Sequence, residues 1–212
     1  MATIVFAIAA YLVGSLSSAV IVSWAFSLPD PHSYGSGNPG ATNVLRTGKK
    51  LAAALTLAGD TGKGVLAVLL ARNFAADYGV GMDGVALVAV AVFLGHLWPV
   101  FFRFKGGKGV ATALGILVAV NLWLGLATLA SWLVIVAIFR MVSLASIIAA
   151  LFAAFYTAWL FGTASPLLPA VLAIAALLIY RHKENIRRLL AGRESRIGAK
   201  TQGPPPESDP PR

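Results

Sequence analysis

The sequence predicts an all-α integral membrane protein with seven transmembrane helical segments, one pair of them forming a short-helix hairpin. Three observations carry this. First, 58 % of the 212 residues are hydrophobic and 12 % charged, with a mean hydropathy of +0.80; a soluble domain carries about a quarter charged residues. Second, the apolar runs are continuous rather than alternating, which suits membrane helices and not barrel strands. Third, the net charge of +9 gathers in loops and the C-terminal tail. There it orients a membrane protein and attracts anionic groups, so it does not imply nucleic acid. The chain has no cysteine, which excludes disulfides, thiolate metal ligands and a cysteine acyl-enzyme.

The first segment runs from about Ile4 to Phe26. No positive charge precedes it and no clean small-x-small cleavage site follows, so it reads as a span and not a signal peptide. Gly14, Ser15, Ser17 and Ser18 form a small-residue patch suited to close helix packing. A polar loop follows, Leu28 to Lys50, dense in hydrogen-bonding residues: Ser36, Gly37, Asn38, Thr42, Asn43 and Arg46. A solvated turn capped by Asn and Gly is the plain reading; the arginine and the density of donors favour a binding loop.

The second segment, about Leu51 to Asn73, carries Asp60 and Lys63 inside apolar sequence. Spaced i,i+3, they meet on one helix face, either as a self-neutralising pair or as part of a site. After a loop with Asp77 and Asp83, the third segment runs from about Val85 to Phe102 and ends near His96. Next comes Phe104-Lys105-Gly106-Gly107-Lys108-Gly109. Glycines that expose backbone N–H groups and two mobile cations make a candidate anion cradle, although a tight basic turn between helices has the same composition. The pattern is not a Walker loop.

Val110 to Phe139 is about thirty apolar residues, too long for one span and too short for two. Charge settles its path. Arg46, Lys49, Lys50, Lys105, Lys108, Arg140 and the basic tail belong on the cytoplasmic side. The stretch must therefore enter and return, as a hairpin of two short helices bending near Asn121 to Gly125. Two more segments follow, one opening at Arg140 to Ser146 (with Ser143 a plausible N-cap) and running to about Leu160, the other from Pro166 to Tyr180. The tail from Arg181 to Glu194 reads as a basic amphipathic helix. The N-terminus is then external and the C-terminus cytoplasmic. Residues 1–198 are expected to form a single membrane domain and residues 199–212 a disordered Pro-rich tail.

Parity thus brings three polar clusters, 35–50, 95–109 and 181–194, to one membrane face. Convergent Arg, Lys, His and backbone N–H groups there describe a site for phosphates. No carboxylate cluster or His-x-x-x-His suggests a metal.

Three strings carry a resemblance: Ser36-Gly-Asn-Pro-Gly-Ala-Thr-Asn-Val-Leu-Arg46; Gly95-His-Leu-Trp-Pro-Val-Phe-Phe-Arg-Phe-Lys-Gly-Gly-Lys-Gly-Val-Ala-Thr112; and Arg181-His-Lys-Glu-Asn-Ile-Arg-Arg-Leu-Leu-Ala-Gly-Arg-Glu194. They resemble, in order, the three motifs of the PlsY family, the bacterial acyl-phosphate:glycerol-3-phosphate acyltransferases. The resemblance covers about residues 4–198. It implies transfer of a fatty acyl group from acyl phosphate to the 1-hydroxyl of glycerol 3-phosphate, giving lysophosphatidic acid and phosphate. It also implies seven membrane helices in the bacterial inner membrane, a cytoplasmic-face site, membrane lipid as surroundings, and no cofactor, metal or nucleic acid. By that likeness the catalytic group is Ser36, Arg46, Lys105, His182 and Asn185. Substrate or phosphate binding falls to Gly37, Asn38, Thr42, Asn43, Asp60, Lys63, His96, Gly106, Gly107, Lys108, Gly109, Ser143 and Glu194. His96, His182 or a substrate phosphate oxygen could take the proton; a Ser36 acyl-enzyme lacks any Ser-His-Asp spacing. A transporter of phosphate esters or organic anions is the alternative, disfavoured by the absence of midplane polar groups and repeats.

Overall fold

The computed structural model describes residues 1–198; the tail predicted for 199–212 lies outside the described residues. Ten α-helices follow one another: α1 Ala2–Gly14, α2 Ser18–Ala25, α3 Ala41–Val44, α4 Lys50–Phe74, α5 Met82–Leu97, α6 Val110–Val120, α7 Leu122–Phe139, α8 Val142–Phe161, α9 Leu167–Arg181 and α10 Lys183–Leu190. There is no strand among the described residues. Helices cover the seven apolar segments, the first with two of them. Five stretches are long and apolar enough to cross a membrane: Ala2–Ala25, Lys50–Phe74, Met82–Phe102, Leu122–Phe139 and Val142–Phe161. Helices α6 and α9, with 11 and 15 residues, reach only about 16 and 22 Å, short of a hydrocarbon core of about 30 Å.

Two features depart from the expectation. The first segment is not one helix. It breaks between Gly14 and Ser18, where Ser17 is extended (φ −84°, ψ 99°). The Lys63 ammonium donates to the Leu16 carbonyl, an acceptor freed by that break, at 2.9 Å. The hairpin is also unequal: α6 is short, but α7 has 18 residues. It bends at Asn121, whose side chain caps α7 by accepting from the Leu124 amide at 3.0 Å.

Helix α5 is the centre of the bundle. It lies along α1 and packs on α4 and α9, while α4 lies along α6, and α7 along α8. Phe93, Leu97, Ile116 and Leu124 are fully buried between them. Small residues allow the close approaches. A Cβ on Gly95 would strike the Tyr11 carbonyl, and one on Gly115 the Thr61 carbonyl. Helix contacts of this kind replace the hydrophobic drive that lipid removes. Trp123, Phe155 and Trp159 point outward and stay exposed, as a lipid-facing surface requires.

Candidate active site

Asn43 on α3 organises the first polar loop. Its amide group donates to the carbonyls of Pro31 (2.8 Å) and Tyr34 (3.2 Å). Its oxygen accepts from the Ser36 N–H (3.0 Å) and hydroxyl (3.3 Å). Two donated and two accepted bonds exhaust an amide, so Asn43 serves the loop and not a ligand. Ser36, Gly37, Thr42 and Arg46 remain exposed, and Asn38 half-buried.

The second cluster is the turn between α5 and α6. Arg103 and Phe104 both adopt left-handed conformations (φ 53° and 58°), a costly geometry for side-chain-bearing residues. The strained pair leaves Lys105 exposed. Its carbonyl meets His32 Nε2 at 3.0 Å, and His32 Nδ1 pairs with Asp30 at 2.7 Å, tying the first loop to the second.

Gly106 and Gly107 are buried against the end of α5. A Cβ on Gly106 would overlap the His96 and Leu97 carbonyls; one on Gly107 would overlap the His96 ring. The Gly107 N–H donates to the His96 carbonyl at 3.2 Å. These glycines therefore permit close approach, and the Gly107 N–H is spent within the protein. Their carbonyls are turned to Arg181, which donates from NH2 to Gly106 (2.7 Å) and from Nε to Gly107 (3.1 Å). Gly109 (φ 84°) starts α6 without a side-chain cap. The positive end of the helix dipole therefore lies beside Lys108.

The third cluster follows α9. Lys108 Nζ donates to the Asn185 side-chain oxygen at 2.5 Å. Asn185 donates onward to Glu194 Oε1 at 2.6 Å. The same carboxylate accepts from the Ser143 hydroxyl at 2.7 Å and from Arg188 Nε at 2.8 Å. Burial pushes the Glu194 carboxyl upward, but these three donors outweigh it and hold the group below its ordinary value. Burial lowers the Lys108 ammonium to about 8, with the Arg188 and Arg181 cations acting in the same direction. His182, 3 % exposed, donates from Nδ1 to the Leu178 carbonyl at 2.8 Å. Burial lowers it to about 4. The neutral ring with Nδ1 protonated carries an acceptor at Nε2.

Beneath this surface lies a buried ionic group. Lys63 and Asp60 pair at 3.0 Å, and His96 Nδ1 stands 3.6 Å from Asp60 and 3.2 Å from the Thr112 hydroxyl. All four residues are at most 7 % exposed. They hold the α1–α2 break, α4, α5 and α6 together and meet the surface cluster where the His96 ring packs on Gly107.

Of the residues singled out from the sequence, Asp60 and Lys63 lie midway along α4, and the rest lie on the loops and helix ends described above. Asp60, Lys63 and His96 are a buried brace, and Asn43 braces the first loop; Lys108, Asn185, Glu194 and Ser143 form a hydrogen-bonded rim; Ser36, Gly37, Thr42, Arg46 and Lys105 are exposed and Asn38 half-buried; Gly106, Gly107, Gly109 and His182 are buried beside the rim. Sequence reasoning gave no role to Arg181, His32, Arg188 or Thr112. Arg181 and Arg188 sat inside the third motif, but no spacing rule links them to Gly106 or Glu194. Among the described residues no group of three His, Asp or Glu is arranged to hold a metal.

An all-helical bundle with five membrane-length stretches, bearing cations and glycine turns at one end, defines a helical membrane protein. The comparisons with known proteins narrow this. A family model described as "Glycerol-3-phosphate acyltransferase" matches residues 4–192. The chain is 66 % identical over 200 residues to a glycerol-3-phosphate acyltransferase of Herminiimonas arsenicoxydans, covering 94 % of this chain and 97 % of the relative. It is 62 % identical over 200 residues to one of Ralstonia nicotianae, covering 94 % and 96 %. Two crystal structures of PlsY, an integral membrane glycerol 3-phosphate acyltransferase, superpose closely. The glycerol 3-phosphate form has a TM-score of 0.85 and the lysophosphatidic acid form 0.84; each is 40 % identical and covers 93 % of this chain and 96 % of that one. The chain belongs to the glycerol-3-phosphate acyltransferase family of PlsY, and it is a membrane acyltransferase.

Proposed function

We propose that the protein transfers a fatty acyl group from acyl phosphate to the 1-hydroxyl of glycerol 3-phosphate, releasing lysophosphatidic acid and inorganic phosphate. The observation that carries this reading is the meeting of three polar clusters at one end of the bundle, with Arg46 and Lys105 exposed and outside every ion pair among the described residues. Two phosphate-bearing substrates need two sets of cationic donors. Arg46 and Lys105 are the mobile pair; Lys108, next to the uncapped start of α6, is the fixed one.

The donor is already activated, so the enzyme has to align two anions and stabilise an oxyanion. The 1-hydroxyl oxygen attacks the acyl carbon, and the bond from that carbon to the phosphate oxygen breaks. His182 Nε2, an acceptor in the neutral ring, orients the hydroxyl, and the departing phosphate takes the proton. Ser36 and Asn185 supply neutral hydrogen bonds beside the reacting groups. The bundle sits in the bacterial inner membrane with this end cytoplasmic, in accord with the positive loops, and the acyl chain lies among the apolar helices.

The test is a donor comparison. Purified protein is given glycerol 3-phosphate with palmitoyl phosphate, palmitoyl-CoA or palmitoyl acyl carrier protein. The expected result is lysophosphatidic acid and phosphate in equal amounts from palmitoyl phosphate alone. Product from a thioester, and none from acyl phosphate, would overturn the donor assignment.

A further inference from the structure

The end of the bundle opposite the polar clusters carries a second basic feature. Helix α4 runs 25 residues from Lys50, which puts Arg72 about 33 Å along the axis from the first loop. There α6 has already stopped at Val120, and α9 begins only at Leu167. The two short helices leave a cleft of about 460 Å³, lined by Arg72, Asn121 and Ser165 on its polar side and by Met82, Phe161 and Leu167 among its apolar walls.

Arg72 spends only part of its guanidinium on the fold. One nitrogen, NH1, donates to the carbonyls of Ala119 (2.5 Å) and Val120 (2.9 Å), satisfying the end of α6. Guanidinium has five donors in a planar fork, so the donors on Nε and NH2 make no bond with the described residues. No carboxylate among the described residues pairs with it; the five ion pairs there involve other groups. An arginine at the end of a membrane helix, open on one edge and flanked by apolar walls, has the chemistry that recognises a lipid phosphate. The fork takes the phosphate oxygens, Asn121 and Ser165 border the glycerol region, and the apolar walls receive the first methylenes of a chain.

We propose that this cleft is a binding site for the anionic phosphate headgroup of a membrane lipid, at the end of the bundle opposite the acyltransfer site. It stands independently of the reaction assigned above. A free inorganic anion shares the phosphate chemistry but makes no use of the apolar walls.

Native mass spectrometry of the detergent-solubilised full chain, titrated with phosphatidylglycerol or phosphatidylcholine, tests it. Two variants are compared with the wild type. Arg72→Gln keeps a donor for the α6 carbonyls but removes the charge. Ser165→Asp keeps an acceptor for the Leu167 amide, which Ser165 Oγ accepts at 3.3 Å, and places a competing carboxylate in the cleft. The expected result is one phosphatidylglycerol bound about tenfold or more weakly in both variants, with phosphatidylcholine unaffected and Ser165→Asp retaining acyl transfer. Equal phosphatidylglycerol affinity in wild type and both variants overturns the proposal. Displacement of that lipid by millimolar inorganic phosphate overturns the lipid assignment in favour of a free anion.

Discussion

Lys108 and Asn185, 77 residues apart in sequence, are joined by a 2.5 Å hydrogen bond from the ammonium to the amide oxygen. Through it the glycine-rich turn before α6 is locked to the helix after α9. Asn185 can offer its oxygen to Lys108 only because its nitrogen is held by Glu194. Glu194 in turn is fixed by Ser143 at the start of α8 and by Arg188 of α10. The chain of contacts fixes where one cation of the site stands.

Glu194→Gln should loosen this chain. The amide cannot accept from three donors with the strength of a carboxylate, and charge-assisted bonds contribute about 1.5–3 kcal/mol each. The expected outcome is a lower unfolding midpoint, together with reduced turnover. The pH dependence has a definite sign. The carboxyl of Glu194 is held below its ordinary value, so its stabilisation is present above that value and lost as pH falls through the folded-state one. Thermal unfolding from pH 6 downward should therefore show an acid-side loss in the wild type that is smaller in Glu194→Gln.

Burial lowers the Lys108 ammonium to about 8, whereas a substrate phosphate, with a second ionisation near 6, is fully charged there. Below about pH 8 the ammonium is protonated and attracts the anion; above it the charge is lost. KM for glycerol 3-phosphate or for acyl phosphate should therefore rise as pH passes 8. Lys108→Arg should flatten that rise, since guanidinium stays charged. Steady-state kinetics from pH 6 to 9.5 decide it.

Gly106→Ala tests the close approach to α5. The added methyl would meet the His96 and Leu97 carbonyls, which are backbone and cannot swing away. A destabilisation of about 1–3 kcal/mol and loss of acyl transfer are expected, read from chemical unfolding and turnover on the same preparation.

The buried pair Asp60–Lys63 predicts non-additive energetics. Asp60→Asn or Lys63→Met alone leaves one buried charge, at a cost of about 3–5 kcal/mol. The double variant should be less destabilised than the sum of the two. Unfolding of the four proteins in one detergent measures the coupling.

The apolar segments were legible because each is a continuous run ended by charged, polar or turn residues, and the hairpin because charge parity demanded a return near Asn121 to Gly125. The break after Gly14 was not. Gly14, Ser15, Ser17 and Ser18 promise close packing equally well in a straight helix, and only the Lys63 ammonium, 47 residues on, satisfies the freed Leu16 carbonyl. The three motifs could be read as a set, yet the division of labour within them could not. Gly107 as an N–H donor to an anion and Gly107 as room for His96 have the same sequence; only the fold shows that its N–H is taken. Arg181 looked like one more tail cation until its guanidinium met the glycine carbonyls.

Arg46 and Lys105 are exposed and carry no ion pair among the described residues. A purely structural reading gives their side chains nothing to do. The decisive measurement is the turnover of Arg46→Ala and Lys105→Ala with palmitoyl phosphate and glycerol 3-phosphate, alongside their unfolding midpoints. A loss of about a hundredfold or more is expected in each, with midpoints close to wild type. Near-normal turnover in either folded variant would contradict the role proposed for these two cations.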